Sequence, residues 1–148
     1  MYEVVKFIHS YWAYLVLLMI IIASLNAVFK YLGNKEFQPT DFRISLFTLI
    51  VTHLQLLIGI VLFLSAGYFK IIGDMGMGAA MKNSDLRMKI IEHPLMMIIA
   101  VVLITVGYSK HKKKLTSKPK FKMLAIFYTL ALIAVLAMIP WKIWFGMA

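Results

Sequence analysis

The chain contains no cysteine. Disulfide bridges, thiolate metal centres and cysteine nucleophiles are therefore excluded. Acidic residues are scarce too, six Asp and Glu against sixteen Lys and Arg, for a net charge of +10. There is no glycine-rich phosphate loop, no Ser-His-Asp arrangement in a usable order and no His-Glu-x-x-His motif. Hydrolytic and transferase templates are thus missing, and at most a redox role is left open for an enzyme. No internal repeat is evident. The first apolar segment lacks a basic stretch and a small-residue cleavage site, so it is read as a spanning helix and not as a signal peptide.

What the chain does have is apolar length. Of its 148 residues, 62% are hydrophobic, and the mean hydropathy is +0.86. About 20 consecutive apolar residues suffice to cross a hydrocarbon core ~30 Å thick. Four such runs occur, at about 7–29, 44–66, 90–109 and 123–145. The expected fold is all-α, one membrane domain made of a four-helix transmembrane bundle.

Charge orients the bundle. Six basic residues (Lys6, Lys70, Lys82, Arg87, Lys89, Lys142) flank the spans on the side of the termini, and ten lie on the other side. Seven of those ten fall in "KHKKKLTSKPKFK", residues 110–122. The positive-inside rule makes this loop cytoplasmic and both termini external. A juxtamembrane lysine cluster also meets anionic lipid, so the charge does not call for nucleic acid. His111 sits within the cluster and is expected to be solvated. Tyr31, Tyr68, Tyr108, Trp141 and Trp144, with Lys142 between the two tryptophans, read as interfacial anchors. Pro140 is expected to interrupt only the last turns of the fourth span.

Ionisable groups inside hydrocarbon need a partner or a purpose. Four lie in the spans: His9, His53, Glu92 and His93. At 1.5 Å per residue, His9 lies ~3 Å and His93 ~5 Å inside the outer edge, whereas His53 is ~20 Å deep. A haem held between two helices takes its axial histidines from nearly one level, a condition that His9 and His93 meet. On the face of His93 lie Met96, Met97, Ala100, Ile104 and Gly107; on that of His9 lie Trp12, Ala13, Val16 and Ile20. Both faces suit the walls of a flat apolar ring. The plainer alternative makes both histidines interfacial groups bonded to water and lipid heads.

His53 stands apart. Ser45, Thr48, Thr52, Gln55 and Gly59 recur at helical spacing as a small polar stripe of the kind that packs helices together. His53 lies roughly 120° away, among Leu46, Leu49, Leu57, Ile60 and Leu64. It reads as a neutral imidazole bonded to a neighbouring helix's carbonyl, as a second axial ligand lacking a mate in this chain, or as a proton or quinone site. Glu92 orients a histidine, snorkels to the surface, or favours the start of the third helix at its dipole, with Pro94 at an early helical position. In the outer loop, Met75, Met77, Met81 and Met88 invite a copper reading, since thioethers suit Cu(I).

Three stretches, "LFTLIVTHLQLLIGIVLF", "MKNSDLRMKIIEHPLMMIIAVVLITVGYSKHKK" and "LAIFYTLALIAVLAMIPW", carry a family resemblance. Across nearly the whole chain the sequence resembles short bacterial four-helix membrane proteins that bear the label cytochrome b. The resemblance implies a haem-binding or redox role and lands on His9, His53 and Glu92–His93. One position departs from it: Ala13 stands where that group has an arginine suited to pairing a haem propionate. Together these features predict a haem b electron-transfer protein, with His9 and His93 as axial pair and His53 as a further cofactor-binding candidate. Quinone or other membrane subunits are its expected partners, besides the bilayer and a possible second copy. The competing expectation is a cofactor-free accessory or assembly subunit that docks through the stripe on the second helix.

Overall fold

The computed structural model describes residues 1–144, with the side chains at 142 and 143 left out of that description. The expected span end at 145 and the anchoring role of Lys142 therefore lie outside the described residues.

Helix α1, Tyr2–Leu32, has Glu3 in its first turn and Lys30 in its last, each placed where the helix dipole favours its charge. It ends where Gly33 N–H donates to Phe29 O and Asn34 takes φ 51°, an angle that Asn tolerates better than most residues. Helix α2, Pro39–Ser65, opens with proline at its first position, where a missing N–H costs nothing. Gly67, at φ 72°, then turns the chain into two short helices, α3 (Tyr68–Met75) and α4 (Met77–Lys82), separated by Gly76 at φ 85°. The methionine-rich stretch is thus two short helices, with Met75, Met77 and Met81 exposed.

Asn83 caps the next rod, its Oδ1 accepting from the Asp85 and Leu86 amides at 3.1 and 3.2 Å. The rod runs through α5 (Ser84–Arg87), a π-helical turn (Met88–Glu92) and α6 (His93–Lys113). Three residues then lead into α7, Ser117–Met138, and a last turn, α8, spans Trp141–Trp144. Four helical rods, Tyr2–Leu32, Pro39–Ser65, Ser84–Lys113 and Ser117–Met138, are long and apolar enough to cross a membrane. All four extend beyond or start before the apolar runs, because polar and charged residues can continue a helix while their heads reach water. Most of the 110–122 cluster is consequently helical.

Around the bundle, α1 packs against α2 and α7, while α6 packs against α7 and α2. Thus α1 and α6 face each other across the diagonal. Small residues permit the close approaches: a Cβ at Gly107 would stand 2.5 Å from Phe127 Cβ on α7. The polar stripe of α2 turns inward. Ser45, Thr48 and Thr52 are buried, and Ser45 O accepts from Tyr128 Oη at 2.9 Å. Across the α1–α7 seam the Ser24 and Thr129 hydroxyls meet at 2.6 Å. The stripe is therefore occupied within the chain, and the docking face expected of an accessory subunit is not exposed there.

Burial is uneven along the axis. Buried side chains run from Val16 to Ala27 on α1, Asp41 to Thr52 on α2, Ala100 to His111 on α6 and Phe121 to Val135 on α7. Most of these lie in the middle or toward the lysine-rich end, although Ala134, Val135, Ile90 and Ile139 are buried near the other end. The end that carries the N-terminus is packed more openly.

Candidate functional site: a histidine pair at the open end

The open end gathers residues from all four long helices. His9 on α1 and His93 on α6 face each other with ring centroids 6.2 Å apart and planes at 84°. Depth matching and the two apolar faces had pointed to this pair, and the bundle diagonal brings it together. Both faces point inward, since Val16 and Ile20 below His9 and Ala100 and Ile104 below His93 are buried.

Each histidine is held by a different device. His93 Nδ1 lies 2.7 Å from Met138 O; a carbonyl only accepts, so Nδ1–H donates and the neutral ring keeps its lone pair at Nε2. Met138 O is available because α7 stops at Met138, with Ile139 extended and Pro140 following. Proline thus ends the helix earlier than expected and leaves a carbonyl for the histidine. On the opposite side, Gln55 Nε2 donates to His9 O at 2.8 Å. Gly59 gives the His9 ring its room, as a Cβ there would stand 3.3 Å from His9 Cε1. His9 Nδ1 and Gln55 Oε1 are both buried without a hydrogen-bond partner in the chain, an uncommon condition that points to water or a ligand at that spot.

The turn before His93 is irregular. Pro94 lacks an N–H, and the chain accommodates it by the π turn, in which His93 N–H donates to Met88 O. Such one-turn π insertions recur at functional sites. Pro94 is the second residue of α6, an early helical position as expected, but the rod as a whole begins at Ser84, so Glu92 does not lie at its start. Glu92 pairs with Arg87 across that turn, Oε2 to Nε at 3.4 Å, instead of stabilising a helix start. The reason is that residues 84–89, with four polar side chains of six, continue the helix outward under the Asn83 cap.

His53 is elsewhere. It is exposed on the α2–α6 seam, with Nδ1 bonded to Leu49 O at 2.8 Å and Nε2 lying 3.3 Å from Thr105 Oγ1. The carbonyl it uses belongs to its own helix, and its neighbours on α2, Leu57, Ile60 and Leu64, are exposed with it. It joins neither His9 nor His93.

His111 reverses its expected placement: it is fully buried, not solvated. Phe37, Phe42 and Tyr108 surround its ring at centroid distances of 5.0–6.1 Å, and its Nδ1 bonds Tyr108 O. The helix carries past the apolar run, so His111 remains on the inward face of Ala100, Ile104 and Gly107 while its lysine neighbours point out. Sequence reading also passed over Asp41. Its Oδ1 accepts from Lys30 Nζ at 2.6 Å and Asn26 Nδ2 at 2.9 Å, and its Oδ2 accepts from Gln38 N–H at 2.8 Å. The signal was present: an acid two residues after an early helical proline is positioned to cap the helix.

The donor set decides what the histidine pair could hold. No group of three or more His, Cys, Asp or Glu converges among the described residues, so the side chains do not make a closed metal site of four ligands. Two imidazoles suit an ion that brings most of its own ligands, as the iron of a haem does. The His93 ring is also held by a donated Nδ1–H, as metal-bound histidines commonly are. The donor set fits: His9 and His93 could hold such a group between them. The fold and this site define a helical membrane bundle with paired histidines. No known protein family, curated protein or solved structure matches the chain.

Proposed function

We propose that the protein is a small haem b membrane protein that passes electrons, with His9 and His93 as axial ligands. The observation that supports this reading is the pairing itself. Two histidines far apart in sequence face each other across the bundle diagonal at 6.2 Å, with one ring nitrogen buried and unpartnered. When bound, haem supplies one-electron chemistry at a potential set by its ligands and by the dryness of its pocket. The chain supplies the rest. Met138 O fixes the His93 tautomer, Gln55 holds the α1 backbone at His9, and Trp12, Met96 and Met97 provide apolar walls. In this reading the protein lies in a bacterial inner membrane with both termini outside and the lysine-rich end cytoplasmic. Its exchange partners are quinone or other membrane subunits. His53 has no axial part.

The test is a visible spectrum of gently purified protein made with ample haem, oxidised and then reduced with dithionite, with pyridine haemochrome quantification. A sharp reduced α-band near one haem per chain is expected, lost in His9→Ala and His93→Ala and kept in His53→Ala. A flat spectrum would falsify the cytochrome reading.

A further inference from the structure

Near the lysine-rich end, the outer surfaces of α1 and α7 do not close on each other. They leave a groove of about 380 Å³ lined by Val28, Tyr31 and Leu32 of α1 and Ala125, Ile126 and Leu130 of α7, with Thr129 at its floor. The Thr129 hydroxyl is already engaged by Ser24, so the groove presents hydrocarbon to its occupant.

Its mouth is cationic. Lys118 and Lys122 precede Ala125, Ile126 and Thr129 at steps of three and four residues, which places both lysines on the groove's own face of α7. Both are exposed. Lys118 Nζ stands 4.8 Å from the centroid of Tyr31 and also donates to Asn34 Oδ1, so its ammonium is held over the end of the groove. Lys35, exposed in the turn after α1, adds a third positive charge, offset in part by Glu36. From Lys118 to Ile126 is ~12 Å along the helix, about the distance from a headgroup phosphate to the upper part of an acyl chain. Tyrosine at such a boundary is in its preferred place.

We propose that this groove is a discrete binding site for an acidic phospholipid. One acyl chain lies between α1 and α7, and the phosphodiester meets Lys118 and Lys122. The charge of the mouth selects the headgroup. An acidic lipid brings a net negative charge, whereas a zwitterionic one brings its own cation against the lysines. The site is independent of the histidine pair, which lies toward the opposite end of the bundle.

Native mass spectrometry of the full chain, released from detergent and titrated with phosphatidylglycerol or chain-matched phosphatidylcholine, tests this. The first phosphatidylglycerol is expected to bind at least tenfold tighter than phosphatidylcholine. The double variant Lys118→Ala/Lys122→Ala is expected to erase that preference. Lys110→Ala/Lys112→Ala, whose ammoniums lie over Phe127 and Tyr108 instead, is expected to keep it. Ile126→Trp, which fills the groove and leaves the charges in place, is expected to weaken the first adduct while circular dichroism stays unchanged. Equal binding of the two lipids overturns the site, and so does an equal loss in both lysine pairs, which would mean diffuse attraction only. A dimer that Ile126→Trp dissociates, with lipid adducts unaltered, would assign the groove to a second copy of the chain and overturn the proposal as well.

Discussion

At the lysine-rich end the helices meet in a plug: Phe37 from the turn before α2 packs with Phe42, Tyr108, His111 and Phe121, and Asp41 ties α2 to α1 through Lys30 and Asn26. At the opposite end the same helices bring in a glycine, a glutamine and two histidines and leave two buried polar atoms without partners. The plug keeps one such atom of its own, His111 Nε2, beside the fully bonded Asp41 carboxylate. Rigidity in a bundle need not be spread evenly; a locked half can hold the helices of the other half at a set spacing without filling the space between them.

Substitutions can break that contrast. The largest effect is expected from Asp41→Ala, which removes three hydrogen bonds to a buried carboxylate and leaves Lys30 and Asn26 without their acceptor. A loss of about 3 kcal/mol in unfolding free energy is expected, read by reversible denaturation in mixed micelles. Gly107→Val should come next, at about 2 kcal/mol, because a side chain there meets Phe127 Cβ, which cannot swing away. An unchanged midpoint in either variant would mean that the lysine-rich half is not the stabilising one.

At the open end the expected effects are spectral more than energetic. Pro140→Ala lets α7 continue and draws Met138 O toward its own helix, withdrawing it from His93. The expected cost in stability is below about 1 kcal/mol, with a clear change in the ¹⁵N shifts of the His93 ring. Gly59→Ala pushes the His9 ring by a few tenths of an ångström, and it should shift the reduced α-band or the His9 resonances while stability stays within about 0.5 kcal/mol. His53→Ala, on the exposed seam, should alter neither, and a lost α-band in this variant would undo the assignment of the axial pair.

The four rods were legible in the sequence because hydropathy is summed over twenty residues and tolerates local error. The inward stripe of α2 and the faces of His9 and His93 were legible for a similar reason, since a helical period carries direction over several turns. What was not legible depended on where helices stop. Lysines continued α6 beyond its apolar run and took His111 with them into the interior. Asp41 lay outside the apolar run and so escaped notice, although its side chain is among the most buried of all. Pro140 ended α7 sooner than expected, and the carbonyl thus freed, which no composition or period reveals, is the one His93 uses. Depth separated His53 from the other two histidines, but its outward direction followed from the very stripe it was not on.

The π turn at Met88–Glu92 has a consequence for how such a chain could change over generations. A π turn is an α-helix carrying one surplus residue. Loss of a single codon within it would rotate the two flanking segments against each other by ~100°. With α6 anchored by its packing, that rotation would fall on Arg87 and the Asn83 cap, and the histidine would stay in place. The insertion therefore lets the outer loop be re-aimed in one genetic step without disturbing the core of the bundle.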